Sequence, residues 1–201
     1  MFSAMAADLA GTADNCTPVR KAGLADSAVV GDSLTYLRRS EMPYIFLKSK
    51  VMEWIFTNFG MIMIERENAA GVKRTIKRLD WQTHHIDLDS ITFITPGVSM
   101  TDYSCDLKFQ VGNRHISIDI VKSEIAYAKL VYLALVELAT EQQRYDLMMT
   151  EARAIKTQII INGTDPSTIS STARELVTQF APLSYADVFE RAMSDHPADR
   201  L

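Results

Sequence analysis

From Tyr103 to Val111 apolar and polar residues alternate: Tyr103, Cys105, Leu107, Phe109 and Val111 fall on one side, Ser104, Asp106, Lys108 and Gln110 on the other. A period of two marks a half-buried strand. Gly112-Asn113 then supplies the positive φ of a tight hairpin, and Ile116, Ile118 and Ile120 return in alternation with His115, Ser117 and Asp119. Upstream, "PYIFLKSK", "VMEWIFTN", "MIMIERE", "VKRTIKRLDW" and "HHIDLDSITFIT" are rich in aromatic and β-branched residues and read as five further strands. Pro96-Gly97 punctuates the turn before Tyr103. Seven short antiparallel strands predict a barrel or an orthogonal sandwich, because an open sheet would leave unpaired edges.

After Lys122 the period changes. Ala128, Val131, Leu135, Leu138, Gln142, Tyr145, Met149 and Ala152 step by three and four, which aligns them along one stripe of a helix. The stripe keeps heptad spacing, with polar Gln142 in its middle. Asn162-Gly163 ends this helix. Asp165 before Pro166 predicts a second helix to about Phe180, and Ser184 with Asp187 resembles the capping box of a short third one. The predicted class is α+β: a flexible N-terminal arm over 1–32, a β domain with its capping helix over 33–140, and a helical C-terminal extension over 141–201.

The chain has 201 residues, 47% of them hydrophobic and 23% charged, enough to bury a core. Its net charge of -4 excludes a global electrostatic attraction to nucleic acid or an anionic membrane, so any such role needs a local patch. Cys16 and Cys105 give neither a disulfide framework nor metal-ligand spacing, and they suit a reducing compartment. No basic-then-apolar leader opens the sequence, and no run approaches the ~18 apolar residues of a membrane span. These features predict a cytoplasmic protein.

The order of strands followed by one helix resembles the pleckstrin-homology-like superfold. More narrowly, "IFTNFGMIMIERENAAGVKRTI", then "HIDLDSITFITPG", then "DYSCDLKFQVG" is similar to the bacterial pleckstrin-homology domain family over about residues 41–139. The chain departs from that pattern at Phe59-Gly60-Met61, where the family carries a basic residue, and at Ile86-Asp87-Leu88, where it carries Ile-Pro-Tyr. The resemblance implies a binding or assembly module, often self-associating, with no catalytic residues to carry over.

Three sets of residues are candidates for function. His84 and His85 with Asp87 and Asp89 would be the centre of a small metal-dependent hydrolase; adjacent strand residues point to opposite faces, so a strand-end role outweighs this. His115, next to a hairpin turn, and His196, in the tail, have no partner visible in sequence. Phosphate-loop, Gly-x-Ser-x-Gly and His-Glu-x-x-His patterns are absent. Lys48, Lys50, Arg74, Lys77 and Arg78 could gather on one rim and attract an anionic lipid surface, although neighbouring Glu53, Glu65 and Glu67 offset them, and Arg74 and Arg78 alternate with Lys73 and Lys77. Finally, Val131, Leu135, Leu138, Gln142, Tyr145 and Met149 form an interaction helix longer than a barrel cap requires. Either the following helices cover its surplus, for which Ile169, Ala173, Leu176, Val177 and Phe180 supply an apolar face, or a second chain does. The sequence thus predicts a non-enzymatic scaffolding module that binds a protein partner or itself, with anionic lipid as the alternative, and with no cofactor, metal or nucleic acid.

Overall fold

The structure is a computed structural model that describes residues 14–20, 31–67, 73–95, 104–161 and 184–194. Within them the seven expected strands are present: β2 (Pro43–Lys48), β3 (Met52–Thr57), β4 (Gly60–Arg66), β5 (Arg74–Asp80), β6 (Ile86–Ile94), β7 (Ser104–Val111) and β8 (Arg114–Val121). Ahead of them lies β1 (Thr17–Pro18). A five-stranded sheet runs in the order β1-β2-β3-β4-β5 and a three-stranded sheet in the order β6-β7-β8. Every pairing between strands is antiparallel. Gly112, at φ 58, makes the hairpin between β7 and β8. Gly60 has another reason to be glycine, since a Cβ there would stand 2.5 Å from the Leu79 carbonyl oxygen.

Helix α1 (Ile125–Ile161) follows β8, and α2 (Ala186–Ser194) lies near the end of the chain. The predicted helix over 165–180 and the tail after 194 lie outside the described residues. One core joins both sheets and the helices: Ile45, Phe56, Met61, Leu107, Phe109 and Leu135 belong to a single buried cluster. Phe56 bridges the sheets, its ring 6.3 Å from Phe109 and 6.5 Å from Trp81. Each such burial contributes about 1.5–3 kcal/mol.

Two features depart from the sequence reading. Residues 14–20, expected in a flexible arm, form part of the barrel wall. Thr17 and Pro18 pair with Lys48 and Leu47 of β2, while Cys16 forms a parallel bridge to Ile120 of β8. The Cys16 N–H donates to the Asp119 carbonyl at 2.7 Å and the Val121 N–H to the Cys16 carbonyl at 3.1 Å. This short piece therefore joins the free edge of one sheet to the free edge of the other. Its signal is weak because two strand residues, one of them proline, show no period.

The second departure is that β2, β3 and β4 of the five-stranded sheet are buried on both faces. Its inner face carries Leu47, Trp54 and Met63 in one cross-strand row. Its outer face carries Phe46, Ile55, Ile62 and Ile64, which form a second cluster with Val19. Leu34, Tyr36 and Leu37, in and just after a 3-10 helix at Ser33–Tyr36, pack over that cluster. Residues 31–41 are thus a strap across the outer face.

Candidate functional site

The strap brings acidic residues to the basic residues of the outer face. Glu53 has a side-chain exposure of 1%, yet it accepts from Arg66 Nη2 at 2.5 Å, from the Ser33 hydroxyl, and faces Lys48 Nζ at 3.6 Å. Glu41 is enclosed in the same manner: Arg78 Nη2 donates to it at 2.5 Å, the Thr57 hydroxyl donates to the same oxygen, and the Arg38 N–H donates at 2.8 Å. Asp80 joins Arg78 Nε and Arg38 Nη2, both at 2.7 Å. Asp32 pairs with Arg74.

These contacts settle where the predicted basic patch lies. Lys48, Arg74 and Arg78 occupy the outer face, each against a carboxylate, whereas Lys77 pairs with Glu65 at 3.3 Å on the inner side of the same sheet. Lys50 lies at the turn before β3, where its backbone N–H donates to Asp14. The five residues do not form one rim. The cause is register: alternation sends Arg74 and Arg78 to one face and Lys77 to the other.

Three of the carboxylates titrate low. Burial pushes the Glu41 carboxyl up, but hydrogen bonds from Arg78, Thr57 and the Arg38 N–H pull it below its ordinary range. Asp80 is likewise raised by burial and lowered more by Arg38 and Arg78; the hydrogen bond from Arg74 lowers Asp32. A carboxyl depressed by folding stabilises the folded chain above its unfolded value near ~4 and ceases to do so as pH falls through its folded value. The melting temperature is therefore expected to hold from pH 7 to about 5 and to fall steeply below about 4. Thermal melts across that range, followed by circular dichroism, check it; a profile flat to pH 3 would mean that the strap does not depend on these pairs.

The histidines do not converge with Asp87 and Asp89. His85 Nδ1 lies 2.8 Å from Asp146 of α1, His84 Nδ1 lies 2.8 Å from the Thr83 hydroxyl, and Asp87 accepts from the Asp89 N–H. Among the described residues no group of three or more His, Cys, Asp or Glu side chains is placed to hold a metal ion. Cys16 and Cys105 are both buried, on either side of Ile120. Two strand spacings put their Cα atoms about 10 Å apart, beyond the reach of a disulfide. Burial, with Asp14 and Asp119 nearby, pushes the Cys16 thiol up to about 12, so it is an inert core residue.

The helix stripe divides at Gln142. Val131, Leu135 and Leu138 are fully buried in the domain's own core, while Tyr145 and Met149 are half-buried. Tyr132 stacks on Phe93 of β6 at 5.7 Å. Gln142 has a role that heptad spacing did not suggest. Its Nε2 donates to the Trp81 carbonyl at 3.0 Å, and its Oε1 accepts from the Ile86 N–H at 2.9 Å. It closes the link between the two sheets, where two buried backbone groups would otherwise lack partners. What fixes Gln142 is the turn over 81–86 rather than the register of a coiled coil.

Helix α2 packs against α1 and β2. Phe189 is fully buried and stacks on Tyr44 at 5.3 Å, and Arg191 pairs with Glu137 at 2.7 Å. The Tyr185 N–H donates to the Asn58 carbonyl, and Asn58 Nδ2 donates to the Ser184 hydroxyl.

Among the described residues, clefts of about 260 Å³ open at two places. One lies at the Asn58 and Trp81 turns beside Tyr185, with Arg38, Arg39 and Asp80 on its edge. The other is the mouth between the sheets, floored by Met52, Trp54, Met63 and Ile116 and edged by Glu65, Lys77, Arg114 and His115. Sequence reasoning missed this mouth, because its residues come from four strands and converge only once the register is known.

Two antiparallel sheets around one core, sealed by a helix that follows the last strand, make a PH-like fold. The chain belongs to the bacterial PH domain family, whose model matches residues 20–139. It is similar to Uncharacterized protein YvbH of Bacillus subtilis (strain 168), 27% identical over 171 residues that cover 78% of this chain and 82% of that protein. Among solved structures it is similar to a PH-domain-containing bacterial protein from Exiguobacterium sibiricum 255-15, with a TM-score of 0.69, 22% identity, and coverage of 83% of this chain and 95% of the other. A DUF1696 family protein with a pleckstrin-homology domain from Shewanella loihica PV-4 matches at a TM-score of 0.44 and 14% identity, over 62% of this chain and 99% of that one. The family match begins well before residue 41, so it takes in the strap as well as the seven strands. PH-like domains are in general binding or scaffold modules. No helix among the described residues is long and apolar enough to cross a membrane.

Proposed function

We propose that this protein is a non-catalytic interaction module that self-associates through the outward face of α1. One observation carries the reading: Leu133 and Leu147 are 44% and 63% exposed on a helix whose opposite side is packed into the domain. Leu147 is nine residues from buried Leu138, which at about 100° per residue places it half a turn away, on the solvent side. Leu133 and Leu147 are two heptads apart and so lie along one line. Between them at heptad spacing come Val136, Thr140 and Gln143, so the row has leucines at its ends and uncharged residues between them. The row is self-complementary, because an antiparallel copy sets each Leu133 against a Leu147, as a two-fold interface requires.

The stripe named from sequence supports this from behind. Val131, Leu135 and Leu138 hold the helix to the barrel, and Tyr145 and Met149 continue beyond it. The reading gives His84 and His85 no catalytic role; their hydrogen bonds lead to Thr83 and Asp146. Recruitment to anionic lipid is not favoured, because Lys48, Arg74, Lys77 and Arg78 each face a carboxylate. Two buried thiols out of bonding range support a reducing, cytoplasmic setting.

Light scattering after size exclusion tests the proposal on the full chain and on Leu147→Glu. The expected result is an oligomer that dissociates in the variant with its circular dichroism unchanged, since so exposed a substitution alters stability by no more than about 0.5 kcal/mol. A full chain that stays monomeric at all concentrations, or an oligomer indifferent to Leu147→Glu, would reject it.

A further inference from the structure

The mouth between the sheets combines an apolar floor with an unbalanced positive edge, and neither helix takes part in it. Register explains its composition. Trp54, Met63 and Lys77 form one inner-face row across β3, β4 and β5, and Met52 and Glu65 the next row outward. On the facing hairpin, Arg114 and Ile116 share the inward side with buried Ile118 and Ile120. Deeper positions are thus Trp, Met and Ile, and those nearest solvent are Lys, Arg and Glu.

The charges at the edge do not cancel. Lys77 and Glu65 face each other at 3.3 Å with 46% and 53% of their side chains exposed. Arg114 faces the same space and forms no ion pair among the described residues. A guanidinium without a carboxylate at the rim of an apolar cleft can pair with a planar anion through two hydrogen bonds.

We propose that the mouth of the barrel binds a small amphipathic anion, a carboxylate bearing a short linear apolar chain. The carboxylate pairs with Arg114, assisted by Lys77, and the chain lies on Trp54, Met52, Met63 and Ile116. The cleft of about 260 Å³ equals roughly nine water volumes, which suits an acid of about eight to ten non-hydrogen atoms. Glu65 opposes such a ligand and sets an upper limit on affinity. The bound species is the dissolved acid rather than a bilayer, because the basic residues of the outer face are already matched by carboxylates.

The test is a titration of the full chain with octanoate, read by calorimetry and by the emission of Trp54; Trp81, fully buried against the Thr57 carbonyl, gives a constant background. Saturable binding is expected, with octylammonium and acetate inactive. Arg114→Gln should weaken it about tenfold, the loss of one charge-assisted contact. Glu65→Gln should strengthen it a few-fold, an effect that partial unfolding cannot imitate. Absence of saturable binding overturns the proposal. So does equal binding of octylammonium, unchanged affinity in both variants, or binding to anionic vesicles with none to octanoate. None of these readings depends on whether the chain self-associates, so the two proposals stand or fall separately.

Discussion

Replacing Arg78 with alanine is expected to destabilise the fold by about 3–5 kcal/mol, as for other buried ion pairs broken on one side. The reason is Glu41, whose side chain is wholly enclosed and is paired with Arg78 Nη2 at 2.5 Å. Without the guanidinium, Thr57 and the Arg38 N–H still donate, but the carboxylate keeps a buried charge with no counter-charge against it. The strap then loses its tightest attachment to β5. Urea denaturation of the two proteins measures the difference, which should shrink in acid as Glu41 takes up a proton. The pair Arg78→Met with Glu41→Leu should recover most of the loss, since apolar replacements of a buried ion pair are often neutral. A single-variant loss below about 1 kcal/mol would mean that water reaches Glu41 and that the pair behaves as a surface one.

The second large effect is expected at Phe189. Phe189→Ala removes a fully buried ring that stacks on Tyr44, and losses of about 3–5 kcal/mol accompany such truncations. Arg153→Ala, at an exposed position of α1, serves as a control and should change stability by no more than about 0.5 kcal/mol. Equilibrium unfolding of both variants decides the matter. Comparable, small effects at the two positions would show that α2 is an appendage. The expected contrast makes α2 part of the PH-like core, although more than sixty residues of sequence separate it from β8.

How much of this could be read from the residues depends on the range over which each signal acts. Alternation in "DYSCDLKFQV" and "HISID" located β7 and β8, because one face of each is wet and the other dry. β2, β3 and β4 instead read as continuous runs, "YIFL", "WIF" and "MIMI", and that was itself information. A strand buried on both faces has no polar side to alternate with. Those runs announced a cover on the outer face, and Leu34, Tyr36 and Leu37 provide it. Pairing of charges was not legible in the same way. Asp32 and Glu41 precede β2, and nothing local says that they will meet Arg74 and Arg78 across the sheet. Gln142 shows the limit of pattern alone: a polar residue in an apolar stripe signals a buried partner, but spacing does not reveal whether that partner is another helix or the backbone at Trp81 and Ile86. The exposed leucines of α1 had the same difficulty, since the residues of strongest periodicity were consumed by the core and left Leu133 and Leu147 on the side that periodicity discounted.

The bridge from Cys16 to Ile120 fixes an order of events during synthesis. Cys16 is made 104 positions ahead of its partner, and its neighbours Thr17 and Pro18 must wait for β2. Contacts so distant in sequence are slow to form, because the entropy of closing the loop is lost before any contact repays it. Until residues 16–18 are drawn in between them, β2 and β8 are open edges of the two sheets. A chain lacking residues 14–20 would leave both edges exposed to pairing with other chains.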